Sequence, residues 1–154
     1  MVVLGGELGE EATEREAARN RDTQRLKGVL DHCLLAMIAK RPRYGFELIR
    51  RLDELGLLVV GEGSIYPLLS RMQNEGLIEA FIVTSDETGR KRKYYRVLPK
   101  GEETLGELNR SWASFGGRVN AILGVEFEAV ELDEVEDRVA DARGEGNRKA
   151  GQAM

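Results

Sequence analysis

The feature that most constrains this chain is an order of elements. Between Leu26 and Val97, three stretches with apolar residues at helical spacing precede two strand-like stretches around a polar, glycine-containing turn. In the first stretch Leu26, Val29, Leu30, Cys33, Leu34, Met37 and Ile38 form one apolar stripe about 100° wide, and Pro42 ends the helix. In the second, from about Tyr44 to Leu55, Leu48, Leu52 and Leu55 line one face and Ile49 widens it. Glu47, Arg50 and Arg51 sit away from that face, and Gly56 is the stop signal. The third starts after the turn Gly61-Glu62-Gly63, with Ser64 read as its N-cap and Pro67 tolerated in the first turn. Its buried stripe is Ile65, Leu68, Leu69 and Met72, and Gly76-Leu77 reads as a Schellman ending. Phe81–Thr84, a turn from Ser85 to Gly89, and Lys91–Val97 then make a β-hairpin.

Three short helices followed by a basic hairpin is the winged helix-turn-helix order. A helix that reads B-DNA enters the major groove with one side while the other side holds the core. The third helix has such a free side, made of Ser64, Tyr66, Ser70, Arg71, Gln73 and Asn74, whose groups hydrogen-bond to base edges and phosphates. The return arm of the hairpin offers Arg90, Lys91, Arg92 and Lys93 to the DNA backbone or the minor groove. Each feature alone is a common surface feature; their order and spacing carry the signal. The formal net charge of −4 conceals an asymmetry. Residues 21–125 hold 17 Lys and Arg against 13 Asp and Glu, whereas the two ends hold 6 against 14. A basic centre with acidic flanks is compatible with DNA binding.

Beyond the hairpin a long helix is expected from Pro99. Leu105, Leu108, Trp112, Phe115, Val119 and Ile122 recur at alternating spacings of 3 and 4, an a/d heptad seam suited to a dimer interface or, alternatively, to packing within one subunit, which Gly116 and Gly117 interrupt. The fold class expected is therefore mainly α with a small β-hairpin. A winged helix-turn-helix domain occupies 25–98 and a dimerisation helix 99–124. The flanks are a charged, flexible N-terminal arm at 1–24, disordered or frayed as a helix, with a helix folded against a partner subunit as the alternative, and an acidic short helix with a flexible tail at 125–154.

At these residues the sequence resembles the PadR family of transcriptional regulators. The matching motifs are Tyr44-Gly45-Phe46-Glu47-Leu48, the long run from Glu62 to Met72 closing with Glu75-Gly76-Leu77-Ile78, and Arg92-Lys93-Tyr94-Tyr95-Arg96 leading to Gly101. The match extends from about Leu26 to Ile122 and looks like the short form of the family. The resemblance implies a homodimeric repressor of a pseudo-palindromic double-stranded DNA operator, released in many members by a small aromatic effector. It implies DNA-contact roles for Tyr44, for Ser64, Tyr66 and Arg71, and for Lys91, Arg92, Lys93 and Tyr94. It also implies a dimer built by exchange of the last helix, with Trp112 and Phe115 on its seam either as dimer core or as an effector site. Two departures stand out. Leu98 replaces the Thr that often caps the last helix, and the segments 1–24 and after Gly124 have no counterpart in the minimal pattern.

Other function classes find little support. Cys33 is the single cysteine, so no internal disulfide forms and a reducing cytoplasm is the expected setting. With His32 it does not make the four ligands of a structural zinc site, and neither a metal nor a cofactor is expected. The start of the chain lacks a signal-peptide pattern, and the longest apolar stretch, Cys33–Ala39, is shorter than the ~20 residues of a membrane span. No phosphate loop, nucleophile elbow or histidine pair points to an enzyme. The competing class is a winged-helix protein-interaction module without DNA binding.

Overall fold

A computed structural model of the chain describes residues 4–57 and 62–132. It has two compact units, residues 1–114 and 115–154, and the last helix runs from the first into the second. The elements are α1 (Leu4–Lys27), α2 (Leu30–Lys40), β1 (Arg43–Tyr44), α3 (Gly45–Glu54), a 3₁₀ turn (Glu62–Ser64), α4 (Ile65–Asn74), β2 (Ile78–Thr84), β3 (Lys91–Val97) and α5 (Pro99–Leu123). The sheet is antiparallel with strand order β1-β3-β2. This is the winged-helix arrangement that the order of apolar periods implies.

The core of the first unit lies where the stripes of α2, α3 and α4 meet the sheet. Leu34, Leu48, Ile65 and Leu69 are completely buried there, with Ile38, Leu52, Met72, Ile78 and Tyr95 around them. Both α3 and α4 end as Schellman motifs. Leu57 and Leu77 donate their N–H groups to the carbonyls of Leu52 and Met72 at 2.8 and 3.0 Å, with Gly56 and Gly76 at positive φ. The turn between helices and hairpin is thereby fixed by backbone hydrogen bonds, and α4 stops where the strand must begin.

Several local expectations change. The first apolar stripe belongs to two helices: Gly28 donates to Arg25 O and Val29 to Leu26 O, and α2 starts afresh at Leu30. Tyr44 is a strand residue paired with Tyr94, so the second helix begins one residue later. Ser64 ends a 3₁₀ turn in a helical conformation and its hydroxyl caps nothing, so α4 is entered from that turn. Glu47 is buried, not turned outward: its carboxylate accepts from the Tyr44 N–H at 3.3 Å and pairs with Arg41 at 3.0 Å. A buried charge demands such partners, and removing either leaves the other uncompensated.

The N-terminal stretch is an unbroken helix over Leu4–Lys27, where a disordered or frayed arm is expected from its low apolar content. Ala, Glu and Arg are strong helix formers, and Arg15–Glu11 and Arg25–Asp22 pairs lie along the surface. Its last turn is anchored by Leu26, which enters the core. Gly116 and Gly117 likewise do not break α5.

In the second unit, α5 ends with Gly124 at positive φ and a hydrogen bond from Val125 N–H to Asn120 O. Residues 125–132 then carry no regular structure, so the helix expected after residue 125 is absent from the described part of that segment. Phe127 returns to α5, where a Cβ on Gly116 would meet its ring at 3.0 Å. The remainder of the expected acidic helix and tail, 133–154, lies outside the described residues.

Candidate nucleic-acid interface

The recognition helix α4 has the division of faces that groove reading needs. Ile65, Leu69 and Met72 are buried. On the outer side Tyr66 is 48% exposed, and Ser70, Arg71, Gln73 and Asn74 are exposed with it; Ser64 is half-buried. Tyr66 does not wave freely. Its ring lies on the first turn of α3, where a Cβ on Gly45 would come within 2.8 Å of it. Gly45 is thus a seat for a recognition-helix side chain, a role visible in the sequence only as a glycine at an unusual place in a helix.

Arg71 is tied across elements. Its guanidinium bonds the Asp31 carboxylate of α2 at 2.8 Å and lies 3.8 Å from Glu75. Both partners of the Arg71–Asp31 pair are substantially exposed. Such a pair contributes about 0–1 kcal/mol, so a phosphate or a guanine edge can compete for the guanidinium. The sequence does not reveal Asp31 as a partner, because 40 residues separate it from Arg71.

In the wing, strand alternation divides the basic run. Arg92, Tyr94 and Arg96 occupy one face of β3, and Lys91, Lys93 and Tyr95 the other. All four residues Arg90 to Lys93 are exposed. On the first face β1 adds Tyr44 and β2 adds Phe81, and the rings form a row. Tyr44 meets Tyr94 edge-on at 5.3 Å, and Tyr94 meets Phe81 at 5.8 Å. Arg92 lies over Tyr44 with its guanidinium carbon 4.6 Å from the ring centroid, and Arg96 over Phe81 at 4.9 Å. Arg96 also pairs with Glu79 across the strands. Lys93 lies over Tyr95, 5.6 Å from the centroid. Tyr44 and Tyr94, which the resemblance makes DNA contacts, are only 9% and 8% exposed. They are the packed floor of the wing and expose little surface to a ligand.

The seam of α5 changes character along its length. Leu105 and Leu108 pack against the core of the first unit, and His32 of α2 bonds Asn109 at 2.7 Å. Trp112 and Phe115 are exposed, Val119 is half-buried, and Ile122 is 85% exposed. Cys33 is half-buried; burial, and secondarily the Asp31 carboxylate, raise its pKa, so it stays a thiol at neutral pH. Among the described residues no cluster of His, Cys, Asp and Glu could hold a metal, and no helix is long and apolar enough to cross a membrane.

Comparison with known proteins agrees with this geometry. The model of the transcriptional regulator PadR-like family matches residues 34–107. A PadR-like transcriptional regulator from Bacillus cereus strain ATCC 14579 is 48% identical, with a TM-score of 0.61 over 67% of this chain and 99% of that one. A Streptococcus transcriptional regulator is 37% identical, with a TM-score of 0.59 over 65% of this chain and 97% of its own. An uncharacterized protein from Lysinibacillus sphaericus is 30% identical over 108 residues, which are 69% of this chain and 94% of that protein. The chain belongs to the PadR-like family of DNA-binding transcriptional regulators.

Proposed function

We propose that the chain is a homodimeric repressor of a pseudo-palindromic operator. In this reading α4 enters the major groove with Tyr66, Ser70, Arg71 and Asn74 forward, and the basic wing lies on the adjacent backbone or minor groove. The observation that carries it is the two-faced recognition helix, buried on one side and lined with hydrogen-bonding groups on the other. The exposed apolar residues Trp112, Phe115 and Ile122 on α5 support pairing with a second copy, because a helix seam of that kind is ordinarily covered. Leu105 to Ile122 extends about 26 Å at ~1.5 Å per residue. That length suits holding two recognition helices at the ~34 Å repeat of successive major grooves. Trp112, the single tryptophan, would stack on a planar aromatic effector at the dimer interface. No catalysis is assigned to the chain.

Selection from random DNA by the full-length protein is expected to return a two-fold related sequence. Anisotropy at two salt concentrations should then show tight, salt-sensitive binding, with sedimentation giving a dimer at micromolar concentration. Replacing Arg92 and Lys93 together by Ala should flatten the log-log salt dependence by about 0.9 unit for each phosphate no longer neutralised. A monomer in the centrifuge refutes the dimer. No sequence enrichment refutes operator binding and favours a protein-interaction module.

A further inference from the structure

We propose that Tyr44 is a positioning residue for Arg92. Its buried ring holds the guanidinium in place for DNA, and the tyrosine itself does not contact the operator. This rests on the proposed DNA-reading role of the wing.

The placement follows from the strand register. Tyr44 pairs with Tyr94 in the sheet, and Arg92 is two residues before Tyr94 on the same face of β3. The side chain of Arg92 therefore reaches back over β1, and its guanidinium carbon comes to rest 4.6 Å from the centre of the Tyr44 ring. The ring itself packs edge-on against Tyr94, which packs on Phe81, so the platform under the guanidinium is a continuous row of rings. A guanidinium over an aromatic face is attracted by the ring quadrupole, and its in-plane N–H groups remain able to donate to phosphate or base-edge oxygens. A long side chain pre-ordered in this way loses less conformational freedom when it binds.

The other cations of the wing are placed differently. Arg96, on the same face, is shared between the Phe81 ring and the Glu79 carboxylate, which DNA would have to displace. Lys91 and Lys93 lie on the opposite face. Among the described residues Arg92 makes no ion pair, so its charge is available to DNA while its position is fixed. The exposure of Tyr44, 9%, argues for action through Arg92 and against direct contact.

The test is a double-mutant cycle on full-length protein, using an operator selected from random DNA by the wild type and read by anisotropy. Arg92→Ala is expected to weaken operator binding about tenfold and Tyr44→Leu about fivefold. Tyr44→Phe, which keeps the ring, should remain within twofold of wild type. In the Arg92→Ala background, Tyr44→Leu should have no further effect, because the group it positions is gone. Thermal melts show whether each variant folds. Should the leucine variant not fold, a trifluorinated phenylalanine at position 44 keeps the shape and drains charge from the ring face. It should weaken binding about threefold relative to Tyr44→Phe, and only while Arg92 is present. The proposal is overturned if the position-44 effects persist in full without Arg92, or if Tyr44→Phe binds as poorly as Tyr44→Leu, which would assign the contact to the hydroxyl. Failure of the wild type to enrich any sequence overturns the DNA-reading role itself, an outcome distinct from these two.

Discussion

Replacing Gly101 with alanine is expected to destabilise the protein by about 3 kcal/mol and to lower Tm by roughly 10 °C. Gly101 is buried in the first turn of α5, and a Cβ there would lie 2.1 Å from the carbonyl oxygen of Leu77 and 2.9 Å from a methyl of Val97. The same carbonyl accepts the Leu98 N–H at 2.9 Å, and Lys100 bonds the Glu75 carbonyl at 2.8 Å. The obstacle is therefore backbone that is already committed at the end of the recognition helix. It cannot move without disturbing the Schellman turn that orients β2. Alanine gains about 1 kcal/mol over glycine in helix propensity, so the variant is destabilised only because the clash outweighs that gain. Gly106→Ala supplies the control in the same helix, because its nearest neighbour is the far end of Arg110 at 3.5 Å. That variant should melt at or above the wild-type temperature. Equal melting of the two variants would show that α5 can shift away from Leu77.

Gly45→Ala should have the opposite profile: Tm within about 2 °C of wild type, and operator affinity lower by about tenfold. The new methyl would meet the ring of Tyr66 at 2.8 Å, but that ring is the far end of a half-exposed side chain and the methyl can push it off its seat without moving backbone. The fold is spared and the recognition surface is altered. One groove contact is worth ~1–3 kcal/mol, which sets the size of the expected loss. Thermal melting beside anisotropy on the selected operator distinguishes the two effects. Unchanged affinity with an intact fold would mean that Tyr66 makes no contact from its present seat.

The apolar periods made the three helices and α5 legible, because burial of one face imposes a repeat on the sequence, and the polar, glycine-containing turn between two strand-like stretches marked the hairpin. What lay between the periods was not legible. A two-residue strand such as β1 has no period, so Tyr44 reads as the start of a helix until its pairing with Tyr94 is seen. Glu47 reads as a surface acid because its partner, Arg41, lies on the preceding turn and its cap acts on the backbone of a tyrosine, outside the usual Ser/Thr pattern. Helix α1 has hardly any apolar face to reveal it; it rests on helix propensity, surface pairs and the anchoring of Leu26 in the core. In the candidate interface, composition found the cations but not their directions. Alternation along β3 sends Arg92 and Lys93 to opposite sides of the wing, which a run of four basic letters does not announce.

The peptide unit joining Tyr44 to Gly45 touches both elements assigned to DNA: Tyr44 carries Arg92 of the wing, and Gly45 seats Tyr66 of the recognition helix. In the proposed reading, one covalent step therefore acts as a ruler between the two points of DNA contact. Insertions at the hairpin tip, between Ser85 and Gly89, would lengthen the wing without altering that spacing. A related protein could acquire a new target by exchanging side chains on α4, whereas a change in the distance between its two points of reading would require rebuilding the strand-to-helix corner.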